Sequence, residues 1–201
     1  MATQAPGHEP QAPDDGAAGH AADEALIRRI SAGDVAAFRA LVEEHLDAIH
    51  AYLYRMTGSR TEAEDLAQET FLRVWRRAST FDANRVQLTT WLHTIAHNLC
   101  IDSFRRSRPM YAYDEALEAD GTADPERQAS GRQLAELVEQ LIASLPDNQR
   151  SAILLCQVQG FSNAEAARIL GVNLRALESL LARARRTLRE AVAGRTGDPR
   201  R

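Results

Sequence analysis

The chain has 201 residues, a net charge of −4 and 44% hydrophobic residues, enough apolar material for one medium or two small packed domains. No apolar run approaches the roughly 18 residues of a membrane span, and the N-terminus has neither a basic nor an apolar leader region. Cys100 and Cys156 stand far apart among apolar neighbours without metal-ligand spacing, which reads as two small buried thiols in a reducing, cytoplasmic compartment.

Residues 1–22 are rich in Ala, Gly, Pro, Gln and acids, have no period, and read as a disordered tail. Asp23 is placed to cap a short helix through Ile30 that ends at Gly33. Asp34 is placed to cap a long one from Val35 to Thr57, with Phe38, Leu41, Val42, His45 or Leu46, Ile49, Leu53 and Met56 inward and Gly58 as its stop. Thr61 and Glu64 have the spacing of a capping box for a helix from Glu62 to about Ala78. Leu66, Thr70, Phe71, Val74 and Ala78 form its inner stripe, which leaves Asp65, Gln68, Glu69, Leu72, Arg73 and Arg76 together outside. That order of acids then bases suits the helix dipole on a wet face, and equally suits a docking surface around Leu72 with Trp75 nearby.

Residues 81–88 form a polar loop, after which Thr89 is placed to cap a helix through Arg106 anchored by Trp91, Leu92, Ile95, Leu99 and Phe104. His93, His97, Asn98 and Arg105 are expected on its more exposed sides. The two histidines are four apart, as metal ligands can be, but no third ligand has a companion spacing; no metal or other cofactor is expected. An aromatic, asparagine and arginines beside a polar loop fit unstacked bases and phosphates better.

Residues 107–130 carry six acids against two arginines, two prolines and little period, the composition of a linker between a domain at 23–106 and another at 131–193. A helix is expected over Gln133–Leu145, broken by Pro146, and another over Gln149–Gln159, ended by Gly160. Ser162 and Glu165 form a capping box for a short helix, Gly171 closes it, and Asn173 caps a helix that keeps its period to Leu188. Leu174, Leu177, Leu181, Ala184 and Leu188 make its inner stripe, opposite Arg175, Glu178, Ser179, Ala182, Arg183 and Arg186. This is the pattern of a helix-turn-helix whose second helix enters a DNA major groove, although a plain helical hairpin with a solvated charged face gives the same pattern locally. A basic tail follows from Gly194 to Arg201.

Charge is segregated along the chain. Residues 43–69 have a balance of −5, residues 73–108 of +5 and residues 168–201 of +6, so two basic segments alternate with acidic ones. That suits a protein that touches DNA twice and another protein elsewhere. No phosphate-binding glycine loop, serine elbow, HExxH or paired-carboxylate motif occurs, and enzyme readings have no nucleophile.

Four segments in register, DLAQETFLRVWR (65–76), WLHTIAHNLCIDSFRR (91–106), LPDNQRSAILLCQVQGFSNAEAARILGV (145–172) and SLLARARRTLRE (179–190), resemble the extracytoplasmic-function sigma factors of the bacterial sigma-70 family over about residues 25–190. The resemblance implies an all-α chain of two small helical domains on a flexible linker, with no catalytic residue. It implies a first domain that binds core RNA polymerase through Asp65, Gln68, Glu69, Leu72 and Arg73. The same domain would hold the −10 promoter element as single strand through Asn84, Arg85, Trp91, His97, Asn98, Arg105 and Arg106. The second would read the −35 element as duplex through Asn173, Arg175, Glu178, Ser179, Arg183 and Arg186. It further implies promoter melting for a stress or environmental regulon, and restraint by a separate anti-sigma factor. Two positions depart from the family's pattern: Arg175-Ala176-Leu177-Glu178-Ser179-Leu180 replaces a Gly-Thr-Val-Lys-Ser-Arg pattern, and Leu88 stands where an aromatic is frequent. A repressor that binds duplex DNA alone would need neither the acidic 65–69 face nor the loop and linker.

Overall fold

The computed structural model describes residues 15–107 and 131–195, and among these there are helices and turns but no strand. The first four helices are α1 (Asp15–Ser31), α2 (Val35–Thr57), α3 (Arg60–Arg77) and α4 (Leu88–Ser107), with a 3₁₀ turn, Ala78–Thr80, after α3. After the 108–130 segment, which lies outside the described residues, come α5 (Gly131–Ala143), α6 (Asp147–Ile153), α7 (Asn163–Ile169) and α8 (Leu174–Arg195).

Local chemistry sets most helix ends. Asp34 Oδ1 accepts from the backbone N–H groups of Ala36 and Ala37 at 2.9 and 3.0 Å, starting α2. Gly58, at φ 70°, ends it in the left-handed conformation that costs other residues most. The next residue, Ser59, then caps α3 by accepting from Glu62 N–H, so α3 begins two residues before the start expected from Thr61 and Glu64. The reciprocal Ser162–Glu165 capping box is present at α7. Asn173 Oδ1 accepts from Ala176 N–H at 2.9 Å to start α8.

Four further expectations need correction. Residues 15–22 belong to α1, and Asp23 lies inside that helix rather than at its start; residues 1–14 and 196–201 lie outside the described residues. Helix α4 starts at Leu88, which is 1% exposed: an apolar residue here is drawn into the core and brings the helix start with it. Leu174 is 47% exposed, so the buried stripe of α8 begins at Leu177. Helix α6 starts at Asp147, directly behind Pro146, and its continuation Leu154–Val158 widens into a π-helical turn, with Gln159 N–H donating to Leu154 O.

The core of the first half is built from α2, α3 and α4 around Leu41, Ile49, Leu53, Phe71, Val74 and Leu92; that of the second from α6, α7 and α8 around Leu154, Leu155, Ile169, Leu177 and Leu181. The two halves also pack on each other. Helix α7 lies against α4, and the α5–α6 end and the π turn lie against α2. Phe161 meets His93 edge to face with centroids 4.7 Å apart, and Gln159 Nε2 donates to Ala48 O at 3.3 Å. Arg168 donates to Arg85 O at 2.8 Å. Buried Arg150 donates to Met56 O at 2.6 Å and to Leu145 O at 3.0 Å, with a further bond to Ala143 O.

Candidate protein and nucleic-acid interfaces

An open groove of about 700 Å³ runs between α2 and α3. Its apolar lining comes from Phe38, Val42, Leu46, Phe71 and Leu72, and its polar lining from Asp47, His50, Glu64, Asp65 and Gln68. Leu46 and Leu72 are 39% and 41% exposed, large apolar side chains that a folded chain normally covers. Of the five α3 residues singled out from sequence, Asp65, Gln68 and Leu72 line this groove. Glu69 and Arg73 do not; they pair with each other at 3.0 Å, and Glu69 also reaches Arg76 at 4.0 Å. Glu64 is likewise engaged by Arg60 at 2.9 Å. Asp65 has no ion-pair partner among the described residues and is free for a partner's cation. Leu46, which with His45 as the alternative was expected in the inward stripe of α2, is instead exposed in this groove; Asp47 and His50, which sequence reading missed, share it because helix positions three and four apart lie on one face. An apolar trough rimmed by acids has the form that accepts an amphipathic basic helix.

A second surface lies on α4. Trp91, Asn98 and Arg105 are seven apart, so they fall in one nearly straight row along the helix. Asn98, Arg105 and Arg106 are exposed, while Trp91 is half-buried and leans on Phe81 with centroids 5.2 Å apart. At the N-terminal end of this row the loop before α4 is folded tightly. Asp82 Oδ1 accepts from Asn84 N–H at 3.0 Å, and Asp82 O accepts from the N–H groups of Arg85 and Val86, which leaves both the Asn84 and Arg85 side chains exposed.

His97 does not belong to this row, and neither does His93. Each is only 5% exposed, on the side of α4 that faces α2 and the second half, contrary to the exposure expected from sequence. His97 Nδ1 shares a 2.9 Å hydrogen bond with the fully buried Tyr52 hydroxyl, and His93 Nδ1 bonds Thr89 O at 2.9 Å. Burial holds both imidazoles below their ordinary titration range, His97 at about 4. Among the described residues no group of three metal-ligating side chains occurs.

The His97 shift has a sign that can be tested. Above about pH 6.5 the imidazole is neutral in both folded and unfolded chains, and its contribution to stability is complete. Between pH 6.5 and 4 the unfolded chain takes up a proton that the folded chain refuses, so stability falls by up to about 1.4 kcal/mol per pH unit. His97→Gln keeps a partner for Tyr52 without titrating. Its urea midpoint is expected to drop less between pH 7.5 and pH 5 than that of the unsubstituted protein; an equal drop would show that His97 does not couple folding to pH.

The third surface is the outer face of α8, where Arg175, Glu178, Ser179, Arg183 and Arg186 are all exposed. Ser179 Oγ donates to Arg175 O at 2.9 Å and Arg183 Nε to Ser179 O at 3.2 Å, contacts that water or phosphate can replace. Glu178 forms no ion pair among the described residues, although Arg175 stands three residues before it on the helix. Asn173 is occupied in capping the helix.

Residues 41–109 match the Sigma-70 region 2 family and residues 135–188 the Sigma-70 region 4 family. The chain is 34% identical over 176 residues to the ECF RNA polymerase sigma factor SigW of Bacillus subtilis, covering 82% of this chain and 93% of SigW. It is 36% identical over 169 residues to the ECF RNA polymerase sigma factor BldN of Streptomyces coelicolor, covering 81% of this chain and 63% of BldN. Among solved structures, CnrH in complex with the cytosolic domain of CnrY superposes with a TM-score of 0.65 at 27% identity, covering 86% of this chain and 98% of CnrH. The sigma factor RpoE, in its complex with the anti-sigma factor NepR from Bartonella quintana, superposes with a TM-score of 0.61 at 25% identity, covering 77% of this chain and 96% of RpoE.

Proposed function

The chain belongs to the ECF RNA polymerase sigma factors, and from that premise we propose how its three surfaces divide the work of starting transcription. The α2–α3 groove takes a basic amphipathic helix of core RNA polymerase, with Asp65 and Gln68 as polar contacts and Leu72 as the apolar anchor. The loop residues Asn84 and Arg85 and the α4 row of Trp91, Asn98, Arg105 and Arg106 hold the −10 element as single strand. Trp91 offers a stacking face and the arginines offer charge for the backbone. Helix α8 reads the −35 element from the major groove through Arg175, Glu178 and Ser179, while Arg183 and Arg186 secure phosphates. No covalent step is required of this chain: opening the duplex is driven by binding energy for bases out of the stack. The protein works in the cytoplasm with the polymerase, on a stress or environmental-response regulon. An anti-sigma factor restrains it, as the solved complex of RpoE with NepR illustrates for a relative.

The observation that carries this reading is the presence, on one 41–109 unit, of both an acidic-rimmed apolar groove and a separate aromatic-asparagine-arginine row. A duplex-binding repressor has use for neither. The test is in-vitro transcription with purified core polymerase on a genomic fragment library. New discrete starts that depend on this protein are expected; tight duplex binding without polymerase and no new starts would refute the reading.

Glu178 gives the −35 reading a specific form. A carboxylate on a DNA-facing helix is repelled by phosphate, and it can accept only from a base amino group, that of cytosine most directly. Selection of the holoenzyme on duplexes randomised at −35 is expected to show cytosine at one position. Glu178→Gln, suited to adenine, is expected to shift that position by about tenfold toward adenine. An unchanged preference would place Glu178 outside base contact.

A further inference from the structure

We propose that Glu62 of α3 is a positioning residue for the −10 strand: it holds Ser103, and through Ser103 it aims the arginines at the end of α4; this rests on the promoter reading above. The Ser103 hydroxyl donates to Glu62 Oε1 at 2.7 Å, across 41 residues of sequence. A hydroxyl donating to a carboxylate at that distance makes one of the shorter and stronger kinds of hydrogen bond. Both residues are half-buried, so water competes for the bond less than it does at an open surface.

The bond falls where packing gives out. Cys100 is the last buried residue of α4; beyond it Ile101 and Phe104 are half-covered, and Asp102, Arg105, Arg106 and Ser107 are exposed. The turns that carry Arg105 and Arg106 therefore lie past the core, at a helix end, where the last carbonyls lack helical partners and fraying costs least. Phe104 packs on the core and gives these turns an apolar hold, while Ser103 gives them a directional one. Arg105 gains little order from its own contact, an exposed ion pair with Asp102 at 3.9 Å.

Helix geometry sets the direction. At about 100° per residue, Ser103 stands about 140° round α4 from Asn98 and about 160° from Arg105. The bond thus grips the reverse side of the helix and opposes its rolling, which keeps the row of Trp91, Asn98 and Arg105 facing outward. The acceptor is fixed as well. Glu62 lies in the first turn of α3, where its own N–H donates to the Ser59 cap at 3.3 Å and the helix dipole favours an acid. Glu62 does not line the polymerase groove, but Asp65, one turn further along α3, does. The helix that docks on polymerase and the helix that holds the strand are joined side chain to side chain, so the arginines are set relative to the groove.

The test measures holoenzyme binding to a labelled single strand spanning the −10 position of a promoter mapped in the transcription experiment above. Glu62→Ala and Ser103→Ala are each expected to weaken that binding about three- to tenfold, the range one hydrogen bond contributes, with little further loss when combined. Glu62→Gln keeps an acceptor for the hydroxyl and is expected to restore most of the binding. A bond that served stability alone would cost the same with or without the arginines. A positioning bond is expected to cost little in an Arg105→Ala, Arg106→Ala background, where the groups it aims are gone. Undiminished binding by Glu62→Ala would overturn the proposal, as would a Glu62→Gln loss equal to that of Glu62→Ala, or a full loss in the arginine-free background. If the unsubstituted holoenzyme does not prefer this strand to a scrambled one, the promoter reading fails instead.

Discussion

Arg150→Ala is expected to destabilise the chain by about 3–5 kcal/mol and to split one unfolding transition into two. The Arg150 side chain is 8% exposed, and it donates to carbonyls at the ends of two helices: Met56 O in the last turn of α2, and Ala143 O and Leu145 O at the close of α5. Helix C-termini carry unpaired carbonyls and partial negative charge, so one guanidinium fork meets both a hydrogen-bonding and an electrostatic need. Alanine strands two buried acceptors, Met56 O and Leu145 O, and the part-buried Ala143 O, each buried one costing about 1–3 kcal/mol less whatever water can repair. Lysine keeps the charge but cannot fork, so Arg150→Lys is expected to fall between the two. Because the Met56 bond joins the halves, its loss should let the second half unfold at lower urea than the first. Equilibrium urea unfolding, followed by far-UV dichroism, measures both effects. A single transition within about 0.5 kcal/mol of the unsubstituted protein would show that these bonds contribute little.

Arg150 also marks where sequence stops being legible. It stands inside the 145–172 segment that carries the family resemblance, yet its partner Met56 is 94 residues away, and no local pattern connects them. Features fixed by neighbours were readable: Asp34 as a cap, Gly58 and Gly171 as left-handed stops, and Ser162 with Glu165 as a capping box all depend on residues within one turn. Ser59 and Thr61 show the limit of that logic. Both are competent caps, and Ser59 prevails because the left-handed Gly58 has already ended α2, leaving Ser59 extended at φ −116°. His93 and His97 were misplaced for a different reason. Periodicity gave α4 one inner stripe, Leu92, Ile95 and Leu99, but α4 is covered on a second side by α2 and α7, and that second side is polar in composition. A helix packed from two directions loses the contrast on which amphipathic reading depends. The π turn at Leu154–Val158 has no sequence signature, yet it leads directly into Gln159 and Phe161, two of the contacts that join the halves.

Asp65→Ala combined with Leu72→Ala is expected to weaken binding to core polymerase by about 100-fold while leaving the fold intact. Leu72 is 41% exposed at the groove's edge; covering such a side chain contributes about 1.5–3 kcal/mol. Asp65 adds a charge contact of similar or smaller size, and at about 1.4 kcal/mol per tenfold the pair reaches two orders of magnitude. Glu69→Ala is the instructive comparison. Glu69 is outside the groove and already paired with Arg73 and Arg76, so its removal breaks exposed ion pairs worth under about 1 kcal/mol and should change affinity less than threefold. Anisotropy titration of labelled protein with core polymerase, at two salt concentrations, separates the contributions. The Asp65 share should shrink at high salt and the Leu72 share should not. Equal losses from Glu69→Ala and from the double substitution would move the docking face off the groove and onto the outer side of α3. A loss confined to promoter binding, with core affinity unchanged, would assign Asp65 and Leu72 to nucleic acid, a role that a carboxylate beside phosphates fits poorly.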